Sequence, residues 1–315
     1  MSKIISNEFF VFFIKLLVLL CAFSLYSPVC TQVIPPEPVS HHATYQVQLS
    51  CEQSSDFAHA SGVMTLEIIK YLENWLMKQT SSLTICIPGF NDSETTSTIL
   101  TSAEDHQGLN YHFTAQAMRD GNVEEFIEGR ARLAGENAAG TVVYTTPELE
   151  FVPPEATLTP LESMRVNLPA GTLFPIKHLR RLLEEAQHLT QKSVKVIKCI
   201  VFDGSSDVRD AVRIDAVLAQ VDPQTKSVEM SDKSILKPNK LWRSEMAVYT
   251  LSNSSNEPDY KVNQIFSDQG IIFEMIVDYG EYKMVSKLTD LRIFTTEDSA
   301  QKALRMVDAA PAQVP

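Results

Sequence analysis

The chain has 315 residues, of which 44% are hydrophobic and 21% are charged, and its formal net charge is −12. This composition excludes a disordered or fibrous protein and allows one large domain or two small ones. The negative charge argues against a general nucleic-acid binder, because the summed field of the protein repels phosphate.

The first 30 residues have the layout of a secretory signal peptide. Lys3 and Lys15 precede the apolar run LLVLLCAF, which is too short to span a bilayer. We predict export with cleavage of residues 1–30, at a point that the sequence does not place. The alternative is an uncleaved anchor, and membrane contact is expected only through that signal. Residues 31–40 follow as a Pro-rich extended segment that leads into the domain.

Cysteine and histidine positions bear on disulfides and metal binding. Beyond the signal stand Cys51, Cys86 and Cys199. An oxidising compartment permits a disulfide, but the odd count leaves at least one thiol free or paired elsewhere. The spacing fits no zinc pattern, and His41 and His42 would point to opposite faces of a strand. We therefore predict no metal site.

Short strands separated by turn residues dominate the pattern after residue 40. In ATYQVQLSC, Tyr45, Val47 and Leu49 alternate with polar neighbours, which is the period of a half-buried strand. The stretch GVMTLEIIKYLENWLMKQ fits a helix as well as a strand. Further short strands follow, and the last third predicts a meander of hairpins that turns at 268–270 and 279–281. The pattern predicts a mainly antiparallel β architecture.

One helix is clearly predicted, after a Pro-rich loop over residues 147–171. Pro175 stands where the first helical turn would begin, a position that tolerates its missing N–H. Apolar residues then recur at steps of three and four, as one face of a helix requires. They are Ile176, Leu179, Leu182, Leu183, Ala186 and Leu189.

The sequence contains no GxSxG elbow, Gly-rich phosphate loop, HExxH motif or EF-hand loop. Asp203 in VFDGSSD follows a predicted strand, but Ser205 stands where an aspartate-nucleophile phosphatase would need a second aspartate. We interpret Asp203 and Gly204 as a turn. No catalytic residue and no cofactor are predicted.

Several segments follow one another along the chain in an order that is typical of one family. They are LPAGTLFPIKHLRRLL at 168–183, VFDGS at 201–205, LWRSEMAVYTL at 241–251, PDYKV at 258–262 and VDYGEYKMVSKLTDL at 277–291. His42, Tyr45 and Leu49 fit the opening strands. In this order the segments resemble the EipB family of periplasmic cell-envelope integrity proteins, from about His41 to Phe294.

The resemblance implies a β-spiral, in which a long twisted antiparallel sheet curls into an open, barrel-like form around one main α-helix. We expect one such domain over residues 41–296 and a flexible tail over 297–315. The resemblance also implies residence in a Gram-negative periplasm, and a non-enzymatic part in envelope integrity without cofactor or metal. The family's disulfide does not carry over, because Leu72 stands at the position of its first cysteine and no cysteine follows Cys199.

Three functions are compatible with these observations. The first is a scaffold that supports the envelope by binding other periplasmic proteins. The second is a carrier or binder of a lipid or another apolar envelope component, held in a groove of the curved sheet. The third is a hydrolase of cell-wall material, for which Asp203 and His178 are the residues to test.

The charges of the predicted helix oppose its dipole, with cations early and glutamates late. That order costs only tenths of a kcal/mol, and burial of the apolar face outweighs it. We hypothesise that Lys177, His178, Arg180 and Arg181 form an interaction surface. It would either pair with acidic strands of this chain or receive an acidic partner.

Overall fold

The structure is a computed structural model that describes residues 36–50, 59–86, 93–145, 164–204, 210–222, 228–229, 235–236, 238–251 and 257–308. The predicted signal peptide and Cys51 lie outside the described residues. So does most of the Pro-rich loop that precedes the helix.

The first half of the chain forms an antiparallel meander, in which each strand pairs with the next. Alternating apolar side chains place one face of these strands in the core. The strands are β1 (His41–Ser50), β2 (His59–Tyr71), β3 (Asn74–Cys86), β4 (Ser93–Asp105), β5 (Asn110–Arg119), β6 (Asn122–Leu133), β7 (Gly140–Thr145) and β8 (Met164–Leu168).

Among the described residues, the second half of the chain adds two helices and nine strands. Two short strands, Val228–Glu229 and Ile235–Leu236, form a small sheet of their own, and the short strand Thr172–Leu173 pairs in parallel with Val194–Val201. The elements are β9 (Thr172–Leu173), helix α1 (Pro175–Gln187), β10 (Val194–Val201), β11 (Val212–Val221), β12 (Val228–Glu229), β13 (Ile235–Leu236), β14 (Leu241–Thr250), β15 (Tyr260–Ser267), β16 (Ile272–Asp278), β17 (Lys283–Ile293) and helix α2 (Thr296–Asp308).

Fifteen strands form one continuous sheet, because β1 pairs with β17 as well as with β2. The end strands of this sheet are β8 and β9, and only residues 169–171 separate them along the chain. With about 3.8 Å between consecutive Cα atoms, Leu168 and Thr172 lie no more than about 15 Å apart. The sheet must therefore curl into a nearly closed barrel, which confirms the predicted fold class.

Helix α1, predicted from its apolar stripe, is confirmed and packs against both halves of the sheet. Ile176 belongs to the same core cluster as Tyr45 of β1. Leu182 and Leu183 belong to a second cluster with Trp242 and Phe266 of β14 and β15. Burial of each such side chain contributes about 1.5–3 kcal/mol, so packing fixes the helix in the concave face of the sheet.

A third core cluster joins the two ends of the sheet through aromatic rings. Tyr111 and Phe113 of β5 stack with a centroid distance of 5.5 Å, and Tyr111 stacks on Phe174 at 5.1 Å. The Tyr111 hydroxyl donates to the backbone oxygen of Asp203 at 2.8 Å. The predicted turn at Asp203 is thus tied to the opposite half of the sheet.

The stretch that fitted both a helix and a strand forms the hairpin of β2 and β3. Tyr71 faces Asn74, so Leu72 and Glu73 make a two-residue turn. Leu72 has a φ of 52° and its side chain is 75% exposed. Such turns usually carry Asn or Gly, and their absence here explains why the pattern was ambiguous.

The prediction of a flexible tail after Thr296 is wrong for Thr296–Asp308, which form α2. Its start is a capping box, in which the Asp298 N–H donates to Thr295 Oγ1 and the Thr295 N–H donates to Asp298 Oδ2, both at 3.2 Å. Ala303 is fully buried, and Lys302 Nζ lies 2.5 Å from Glu67 Oε1 of β2. Within the described residues, neither α1 nor α2 combines the length and apolarity that a membrane-spanning helix needs.

The end of the Pro-rich segment is docked on the domain. The Val39 N–H donates to the Gln269 oxygen at 3.0 Å. The Glu37 carboxylate pairs with Lys70, with His106 at 3.6 Å and with Arg180 at 3.9 Å. Residues 36–40 therefore belong to the folded unit, which begins slightly earlier than residue 41.

Candidate functional site

A groove of about 480 Å³ opens beside the turn between β16 and β17, at the place where β15 begins, β16 ends and β17 begins. The turn over residues 279–282 joins β16 to β17, and Asp278 faces Lys283 across it. We call this cavity the tyrosine groove. Its lining is Glu257, Pro258, Asp259, Tyr260, Lys261, Asp278, Tyr279, Gly280, Glu281, Tyr282 and Lys283.

The rings of Tyr260, Tyr279 and Tyr282, which we call the tyrosine stack, contact one another in the groove, with Tyr279 stacked on Tyr282 and tilted by 36° against Tyr260. Tyr279 lies 4.9 Å from Tyr282 and 5.6 Å from Tyr260, between ring centroids. The turn that holds them is closed by the Tyr279 N–H, which donates to the Tyr282 oxygen at 3.0 Å, and by the Gly280 N–H, which donates to Asp278 at 2.9 Å. Gly280 has a φ of 88°, a conformation that glycine adopts without steric cost.

Acidic side chains surround the tyrosine stack. Burial raises the pKa of Tyr260 to about 12, and the negative charge of Asp203 adds to that rise. The carboxylate of Asp259 accepts a hydrogen bond from the Thr250 N–H, and Asp278 pairs with Lys283 at 3.6 Å. The lining holds four carboxylates and two lysines, so its net charge is negative.

A smaller pocket of about 240 Å³ adjoins the groove and shares Tyr279 and Tyr282 with it. Its other walls come from the ends of β1, β2, β3 and β17, which follow one another in the sheet. They are the apolar side chains of Leu49, Ala60, Leu83, Ile85 and Met284. The two cavities thus place a polar, aromatic chamber beside an apolar one.

The cations of the predicted interaction surface lie close to carboxylates of their own chain. Lys177 Nζ is 3.8 Å from Glu136, and Arg181 Nη2 is 4.0 Å from Glu185. The Arg180 side chain is only 14% exposed, and its Nη1 donates to the His106 oxygen at 2.8 Å. Binding of a partner by these residues stays a prediction.

His178 of that surface points a buried Nε2 into the protein, without a hydrogen-bond partner among the described residues. Burial lowers the pKa of His178 to about 4, and the charge of Arg181 lowers it further. A neutral His178 contributes no positive charge to the surface at pH 7.

The remaining residues from the sequence analysis do not assemble into a site. His41 is fully buried, whereas His42 Nδ1 lies 3.0 Å from Glu67 Oε1. Cys86 and Cys199 both carry free thiols, and burial raises the pKa of Cys199 to about 11. Over the part of the chain that the structure describes, no three His, Cys, Asp or Glu side chains are grouped to hold a metal ion.

Sequence reasoning missed the tyrosine groove, although it predicted the turn at 279–281. The available signal was the turn itself, since YGEY places two aromatic residues where polar ones are usual. Tyr260 and Leu49 join the site through strand pairing, which one sequence does not reveal.

Comparisons with known proteins agree with this architecture. The EipB-like family model matches residues 34–295. A curated relative, the cell envelope integrity protein EipB of Brucella abortus, is 25% identical over 201 residues, which are 62% of each chain. The match thus spans less than two thirds of that relative. A crystal structure of a beta-barrel-like protein of a domain of unknown function, from Brucella abortus, has a TM-score of 0.68 and 22% identity, and the match covers 82% of this chain and 99% of that one. The protein described here belongs to the EipB-like family.

Proposed function

We propose that this protein supports the integrity of a bacterial cell envelope, as a non-enzymatic scaffold that binds other proteins in the periplasm. The observation that carries the proposal is the match of the EipB-like model over residues 34–295, together with the name of the curated relative. The predicted export signal supports the periplasmic location.

The edge of β10 that no other described strand covers is the surface that best suits a protein partner. Among the described strands, β9 pairs with β10 only at Ile200 and Val201. The segment before them exposes Val194 by 67% and Val196 by 59%. Unpaired strand edges bind extended segments of other proteins by strand addition, and exposed apolar side chains add contact area.

The residues that a hydrolase would use support a structural role instead. The Asp203 backbone oxygen holds Tyr111, and Gly204 packs against Phe113. His178 has a lowered pKa of about 4 and its ring nitrogen is buried, so it is a poor general base at neutral pH.

Site-specific photo-crosslinking tests the scaffold proposal. A photoreactive residue at Val194 or Val196 should give a discrete crosslinked protein in intact cells. The matched control is Val63, which is 43% exposed on β2, a strand that is paired on both sides. Val196→Lys should weaken the crosslink formed from Val194 and raise detergent sensitivity of the cells, whereas Val63→Lys should change neither. Equal crosslinking from Val63, or none from β10, would contradict the proposal.

A second function, the binding of a lipid or other amphiphile, is favoured by one observation. The tyrosine groove shares two of its rings with an apolar pocket, so a single ligand can reach both.

A further inference from the structure

We propose that the tyrosine groove binds the ammonium head group of an amphiphile, whose apolar chain enters the adjoining pocket. This inference names the ligand class for the second function and rests on it. It is independent of the scaffold function at β10.

The tyrosine stack is built to attract a cation. Tyr279 is 45% exposed, so a ligand can reach one of the three rings from solvent. Aromatic faces carry negative charge density, and clusters of them bind quaternary ammonium groups. The contacts between the rings, with centroid distances of 4.9 and 5.6 Å, hold the rings in place before a ligand arrives. A preorganised site of this kind loses little conformational entropy on binding.

Charges around the rings select for a cation over an anion. In the strand pairing, Asp278 of β16 lies directly opposite Lys261 of β15 on one side and Lys283 of β17 on the other. The two lysines therefore flank a carboxylate. Three other carboxylates, those of Glu257, Asp259 and Glu281, line the same cavity. The field of this lining favours an ammonium group and disfavours a sulfate or a free carboxylate.

The second pocket determines the other half of the ligand. This pocket is lined by Leu49, Leu83, Ile85 and Met284. Tyr279 and Tyr282 line both this pocket and the groove. A small amine that filled only the groove would leave this apolar surface in contact with water. An alkyl chain attached to the ammonium group would cover this apolar surface and remove it from water, which favours an amphiphile.

Calorimetric titration of the protein, purified after export, with short-chain probes tests the inference. We expect hexyltrimethylammonium to bind, hexanol to bind more weakly and hexyl sulfate to give no saturable heat. Tetramethylammonium should bind at least about tenfold more weakly than the hexyl compound, because it cannot fill the apolar pocket.

Variants of Tyr279 locate the binding. Tyr279→Leu should weaken hexyltrimethylammonium binding about fivefold or more, whereas Tyr279→Phe keeps the ring and should change it by less than about twofold. The matched control is Tyr249→Leu, a partly exposed tyrosine outside the groove that packs on Arg213. The melting temperature of each variant shows whether the fold is kept.

Equal affinity for the ammonium and sulfate probes would overturn the inference. So would unchanged affinity in Tyr279→Leu, since the ring stack would then not be the cation site. Neither result bears on crosslinking from β10, so failure here and failure of the scaffold function can be told apart.

Discussion

Glu104 of β4 caps the N-terminus of helix α1, and its carboxylate Oε2 accepts a hydrogen bond from the Ile176 N–H at 2.8 Å. The other oxygen accepts from the next backbone N–H at the same distance. Phe174 at the N-cap position has no side-chain acceptor, and the first turn contains no acidic residue. A carboxyl group from a distant strand therefore supplies the hydrogen-bond acceptors that the N-terminus of the helix lacks.

Loss of this cap should destabilise the protein. Glu104→Ala leaves two buried N–H groups without an acceptor, and we expect it to lower the free energy of unfolding by about 2–4 kcal/mol. Urea denaturation measures the change. Glu136→Gln is the control, because that carboxylate is 78% exposed and pairs with Lys177 of the same helix. It should cost less than about 0.5 kcal/mol.

Glu104 also gives the stability a pH dependence of defined sign. Burial raises the pKa of Glu104 from 4.5 to about 7, so the folded state binds a proton more tightly than the unfolded state. Its contribution is fully present below pH 4.5 and falls as the pH rises to 7, by up to about 3 kcal/mol. Glu104→Gln should remove this slope and cost less at pH 8 than at pH 5. Parallel pH profiles for wild type and variant would contradict the assignment.

Glu67 of β2, which contacts helix α2, should give the stability a pH dependence of the opposite sign. Its hydrogen bond with His42 and its pairing with Lys302 lower the pKa of Glu67 to about 2. This contribution is present above pH 4.5 and is lost as the pH falls through 2. Glu67→Gln should lower stability at pH 7 by about 1–2 kcal/mol and speed amide hydrogen exchange over residues 296–308. The exposed Glu73→Gln is the control, and exchange unchanged in both variants would mean that Glu67 does not hold α2.

The ring of Phe113 leaves no room for a side chain at Gly204. A Cβ atom added there would lie 2.5 Å from a ring carbon, and Gly204 has a φ of 75°. Gly204→Ala should therefore cost about 2–4 kcal/mol, through steric overlap and backbone strain together. Gly121→Ala separates the two causes, because Gly121 has a φ of 82° and nothing within 4 Å of its added Cβ. It should cost only about 1 kcal/mol in thermal denaturation, and an equal loss in both variants would exclude overlap with Phe113.

The backbone of Leu72 is strained, because its φ is 52°. Its side chain is 75% exposed, so packing does not offset this strain. Asparagine adopts this conformation more readily than leucine. We expect Leu72→Asn to raise the free energy of unfolding by about 0.5–1 kcal/mol, measured by thermal denaturation. Val123→Asn, at a 44% exposed position on β6, should not stabilise the protein. A stabilised Val123 variant would show that lower surface hydrophobicity, and not the turn, is responsible.

Local patterns were sufficient for the elements whose periodicity is regular. Alternation at Tyr45, Val47 and Leu49 predicted β1, and the leucine stripe predicted α1 at its observed place. A capping box at Thr295 and Asp298 also marks the start of α2, but the ending VDAAPAQVP led to the prediction of a frayed tail. Order in α2 comes from tertiary contacts, which propensity does not include: Ala303 packs in a core cluster with Ile69 and Leu76, and Lys302 pairs with Glu67.

The candidate site and the helix cap could not be predicted, because both depend on strand register. Glu104 is 72 residues away from Ile176 in the chain, and no local pattern links them. The apolar pocket beside the tyrosine groove likewise combines residues from strands that meet only when β1 pairs with β17. A single sequence gives the period of each strand but not its neighbour.

The pairing of β1 with β17 also has a consequence for the order of folding. Most other ladders of the sheet join strands that are consecutive in the chain, so two meanders can form from local hairpins. His41 faces Ile293 in the one long ladder that connects them, and such distant contacts form slowly because a large loop must close first. Until then β1 presents an unpaired edge, which is a site for aggregation. Damage to the last strand would therefore leave the first one exposed, at the opposite end of the chain.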